Sequence, residues 1–206
     1  MRLDATTARG PPYADARTWT AGCSTPWLGP PRDVLGGVVP IEQVLFRNQE
    51  LVIALASAAA FPQGVELRLR LAARHPEGGD EDVWWDRREL LFGGPHRHRV
   101  RPGKPLADEL LRFGVRFPGG AKATTVDRHP GENPHGPVLR DSGEGGGGGG
   151  DRFVASRRNL WLWPLPPPEP FEFVIEWPAF DVPLTFVTVD GEPIAMAARR
   201  AQPYWP

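Results

Sequence analysis

Hydrophobic positions recur in this chain with a period of two over most of its length. Val65, Leu67, Leu69 and Leu71 alternate with Glu66, Arg68 and Arg70, the pattern of a strand with one apolar face turned inward and one charged face in water. Leu51, Ile53 and Leu55 open an earlier strand, residues 44–46 lie on one before it, and residues 48–50 and 61–64 supply the turns. This spacing predicts three antiparallel strands in succession. Phe113, Val115 and Phe117 alternate with Gly114 and Arg116, turn at Pro118, Gly119 and Gly120, and return through residues 122–126 as a hairpin.

The last third carries the same period with heavier side chains. Leu160, Trp161, Leu162 and Trp163 run into Pro164, and beyond the prolines at 166–168 Phe171, Phe173, Ile175 and Trp177 alternate with Glu172, Val174 and Glu176. Residues 184–189 read as one more strand. Asp190, Gly191, Glu192 and Pro193 then place a cap, an acid and a first-turn proline ahead of residues 194–200, which predicts a helix over about 193–201. Eight or nine short strands without alternating helices argue against a parallel α/β sheet. They predict an all-β fold, an antiparallel two-sheet β-sandwich with one short C-terminal helix.

Three stretches interrupt the pattern. Residues 1–36 hold Gly10, Pro11, Pro12, Pro26, Pro30 and Pro31 and read as an N-terminal arm, tacked to the domain of residues 37–206 by Tyr13, Trp19 and Trp27. Residues 75–105 read as an inserted loop region in which Val83, Trp84 and Trp85 and then Leu90, Leu91 and Phe92 form edge strands. Its acids Glu77, Asp80, Glu81 and Asp82 precede the bases Arg97, Arg99, Arg101 and Lys104. Residues 143–151, with glycine at every position from 145 to 150, read as a solvated, mobile hairpin loop.

Composition narrows the classes. Glycine (24) and proline (25) make up close to a quarter of the 206 residues beside eight tryptophans, which suits a loop-rich β domain. Lys and Arg total 24 against 25 Asp and Glu, so no global positive field points to nucleic acid or to a membrane surface. One cysteine, Cys23, forms neither an intramolecular disulfide nor a thiolate metal cluster. With a polar N-terminus and no long apolar run, the expected setting is cytoplasmic.

The chemistry-bearing motifs are sparse. The glycine run lacks the Gly-Lys-Ser/Thr signature and the following helix of a phosphate loop. His96 and His98 fall on one face of a strand and are the candidate metal ligands, without a fixed carboxylate or cysteine beside them; no cofactor is expected. Glu172 and Glu176 share a strand face about 13 Å apart, beyond the roughly 5–9.5 Å of glycosidase pairs, so such a pair needs a cross-strand partner such as Glu66. Neither Ser142 nor Cys23 has a base nearby in sequence. Trp161 and Trp163 share a face about 7 Å apart and, with Arg157 and Arg158, form the candidate ligand platform. Because Leu160 and Leu162 make the opposite face apolar too, coverage on both sides, by the arm or by another subunit, is the favoured expectation.

The string Leu110 to Phe117, then Gly119 to Thr124, Pro137 to Leu139, the glycine run, Leu162 to Pro167 and Glu176 to Pro178 resembles a family of actinobacterial proteins with no assigned activity, over roughly residues 38–202. The resemblance implies actinobacterial origin and a shared β domain. Glu169 departs from it, where glycine is expected in the turn before Phe171. The expected function is a non-enzymatic protein-interaction or self-association module, with a protein partner or a homo-oligomer. The alternatives are a small-molecule or carbohydrate-binding sandwich using the aromatic face, and a hydrolase or metal-dependent enzyme whose site is dispersed in the sequence.

Overall fold

A computed structural model describes residues 25–92, 105–127 and 134–205. The alternating segments fold as antiparallel strands. After the short strand β1 (Val34–Leu35) come β2 (Gly37–Arg47), β3 (Leu51–Phe61) and β4 (Gly64–Arg74), the helix α1 (Glu81–Phe92), β5 (Arg112–Arg116) and β6 (Lys122–Thr124). The chain continues through β7 (Val138–Gly150), β8 (Phe153–Trp163), β9 (Phe171–Trp177), a 3-10 turn at Pro178–Phe180, β10 (Val182–Val189), α2 (Glu192–Ala198) and β11 (Gln202–Pro203). β2-β3-β4-β8-β7 form a five-stranded sheet and β10-β9-β5-β6 a four-stranded one, while β1 pairs with β11.

The period-two pattern decides what each sheet buries. Leu51, Ile53 and Leu55 of β3, Leu67, Leu69 and Leu71 of β4, and Leu160 and Leu162 of β8 meet Phe113 and Val115 of β5 and Phe171, Phe173 and Ile175 of β9 in one continuous buried cluster. Each contributes about 1.5–3 kcal/mol on transfer from water. Trp84 and Leu91 from α1 and Ile194 and Ala197 from α2 join the same cluster. Among the described residues no helix is long and apolar enough to cross a membrane.

Two expectations are corrected. The segment expected to give edge strands at 83–85 and 90–92 is the helix α1. The two apolar triplets are seven residues apart, two helical turns, so Trp84 and Leu91 fall on one buried face. Asp80 Oδ1 accepts hydrogen bonds from the N–H groups of Asp82 and Val83 at 2.9 and 3.1 Å, and acids occupy the first turn, so the helix start is capped in the ordinary way.

The glycine run, expected to be a mobile loop, is the second half of β7. Gly147, Gly148, Gly149 and Gly150 stand opposite Ser156, Ala155, Val154 and Phe153 of β8, and the turn is only Asp151 and Arg152. Ladder hydrogen bonds use the backbone alone, so side-chain propensity could not reveal this strand. A Cβ on Gly149 would lie 2.1 Å from the Phe153 carbonyl oxygen, whereas one on Gly148 meets nothing. Gly149→Ala is therefore expected to cost about 1–3 kcal/mol by forcing the hairpin apart, and Gly148→Ala less than about 0.5 kcal/mol. Denaturant titration of the two variants checks this; equal midpoints would restore the loop.

Candidate functional site

Strand alternation sorts the four residues of the expected platform onto different surfaces. Trp161, Trp163 and Arg157 point to the outer face of the five-stranded sheet; Arg158 points inward. Trp161 is fully buried. Its Nε1 donates to the Pro26 carbonyl at 2.9 Å, and Phe61 meets it edge-on at 5.8 Å. Trp163 is half-buried and makes a similar edge contact, also at 5.8 Å, with Trp27. The described part of the arm thus covers the outer side of the aromatic strand, and both rings are engaged by the chain itself.

Arg158 is 4% exposed, and its Nη1 donates to Asp141 Oδ2 at 3.3 Å, so this charge is neutralised within the interior. His96, His98 and Cys23 lie outside the described residues. Among the described residues no group of three His, Cys, Asp or Glu side chains converges as a metal site. The carboxylates weighed for sugar cleavage each hold an arginine: Glu66 accepts from Arg68 Nε at 3.0 Å, Glu176 from Arg112 Nη1 at 2.6 Å, and Glu172 from Arg116. The Arg116 hydrogen bond holds the Glu172 carboxyl below the usual carboxylate range.

Those pairs expose a difference between the two sheets. On the outer face of the four-stranded sheet, Arg112 stands opposite Glu176 and Arg116 opposite Glu172, so charges match across strands. On the outer face of the five-stranded sheet, Arg70 of β4 stands directly opposite Arg157 of β8. Both are exposed, and neither has a hydrogen bond or ion pair among the described residues. Like charges at opposed positions destabilise a sheet. Around them the floor is small: Ala54 stands opposite Arg70, and Ala72 opposite Ala155 in the next outward row.

A hollow lies at each end of this face. At the arm end a cleft of about 710 Å³ is lined by Leu28, Leu35, Val38, Phe61, Arg68 and Tyr204, among others, and its Tyr204 is 53% exposed. At the far end a hollow of about 270 Å³ has Val52 and Ala72 among its lining, with Arg47, Arg74 and the 52%-exposed Phe153. Sequence periodicity puts Arg70 and Arg157 on outward phases, yet their juxtaposition depends on the β4–β8 register, which 86 intervening residues conceal. Compared with family models, curated proteins and solved structures, the chain matches none.

Proposed function

We propose that the protein is a non-enzymatic self-association module, built as an open β-sandwich of the actinobacterial type its sequence resembles and working in the cytoplasm. Its contact surface is the outer face of the five-stranded sheet. The observation that carries this reading is the exposed, directly opposed pair Arg70 and Arg157, without an acidic partner among the described residues, on a half-buried floor of small residues. An arrangement that weakens the isolated sheet is stabilised when an acidic surface covers it. Exposed Val44 and Phe153 on the same sheet supply the apolar area that such a contact removes from water.

Sedimentation equilibrium across the micromolar range tests it. The expected weight-average mass exceeds that of one chain and falls as salt is raised, because screening weakens exposed charge contacts. A single-chain mass at every concentration would sink the reading. The cleft of about 710 Å³ favours a second reading, a small-molecule binder, since its volume suits one ligand.

A further inference from the structure

Self-association through the arginine face requires an acidic surface to cover it, and the identity of that surface rests on the self-association reading. The acidic counterpart is on the same chain. Asp82, Trp85, Asp86 and Glu89 fall at spacings of three, four and seven along α1 and so share one helix face. All four are exposed, Trp85 by 43%. Among the described residues the Asp82, Asp86 and Glu89 side chains have no ion pair, and Arg88 stacks over the Trp85 ring at 4.5 Å.

We propose that α1 of one copy docks across the outer face of the five-stranded sheet of a second copy. The helix's three acids meet the exposed arginines, and Trp85 enters the hollow of about 270 Å³ beside Phe153. Dimensions agree. A 12-residue helix is about 18 Å long, and five strands at about 4.8 Å spacing present a face about 19 Å wide. Acids three and four residues apart on the helix succeed one another at about 5 Å, close to the strand-to-strand step that separates Arg70 from Arg157. Small residues on the floor let a helix approach closely. Trp85 is the type of side chain that dominates binding energy where it fills a pocket. If each copy offers its helix to the other, the contact closes as a two-fold dimer.

Charge reversal on each side gives the test, read by sedimentation velocity. Arg70→Glu with Arg157→Glu makes the face acidic, and Asp86→Arg with Glu89→Arg makes the helix basic. Each double variant alone is expected to associate at least about tenfold more weakly than wild type. An equimolar mixture is expected to recover association, because the reversed helix of one variant then faces the reversed sheet of the other. Trp85→Ser, at an exposed position, is expected to weaken self-association as well. Melting temperatures within the wild-type range establish that all three variants fold.

The outcomes separate the two levels of the claim. Double variants that associate like wild type, or a mixture of folded variants that stays monomeric, would overturn the helix-on-sheet contact while leaving self-association through other surfaces. A wild-type chain that is monomeric throughout would overturn both, leaving the arginine face to an acidic segment of a different protein.

Discussion

Trp161→Ala is expected to lower stability by about 3–5 kcal/mol, the cost of emptying a fully buried aromatic site. The ring has no solvent exposure, packs with Ala59 and Phe61 in a cluster of its own on the outer side of the sheet, and donates to Pro26. Truncation therefore removes an apolar plug and also leaves the Pro26 carbonyl without its indole donor, so the arm should lose its hold on the sheet. Trp163→Ala, at a half-buried position, loses chiefly its edge contact with Trp27, worth about 0.5–1.5 kcal/mol. Denaturant midpoints at unchanged slope measure both. Near wild-type stability for Trp161→Ala would mean that the arm does not cover this strand in solution.

A loss of similar size, about 3–5 kcal/mol, is expected for Trp177→Ala at the end of β9. Trp177 is fully buried, lies 4.0 Å centroid to centroid from Phe180, and donates from Nε1 to the Glu109 carbonyl at 3.0 Å. It ties the segment before β5 and the 3-10 turn to the shared core. The two truncations should differ in their effect on that core. Trp161→Ala should leave the inter-sheet cluster intact, whereas Trp177→Ala opens it, so binding of a hydrophobic dye before global unfolding is expected only for Trp177→Ala. Dye binding by neither variant would place Trp177 outside the main core.

The antiparallel strands are legible in the sequence because alternation is a local property. Val65 to Leu71 and Phe171 to Trp177 declare their buried faces within seven residues each, and the turns at 48–50 and 118–120 fix the β2–β3 and β5–β6 hairpins. The misread elements lack that local signature. The glycine run offers no side chains to alternate, and only its partner strand makes it a strand. In α1 the doublet of tryptophans resembles a β segment until the spacing of seven to Leu91 is given weight. Arg157 and Arg158, adjacent in sequence, read as one site; a single residue's shift along a strand sends one to the outer face and the other into the interior beside Asp141. The arginine face is hidden for another reason: each member is an ordinary outward residue, and the meaning lies in the pairing of two strands far apart in sequence.

The central claim, that the outer face of the five-stranded sheet becomes covered by a second copy, is tested most directly by a thiol footprint. Ala155→Cys, with Cys23→Ser so that one thiol remains, places a small reporter on the floor beside Ala72. Its reaction rate with a soluble thiol reagent is expected to fall as protein concentration rises through the association range, and to recover when salt disperses the copies. A rate independent of concentration, in a protein whose measured mass shows association, would contradict the account by placing the contact elsewhere on the molecule.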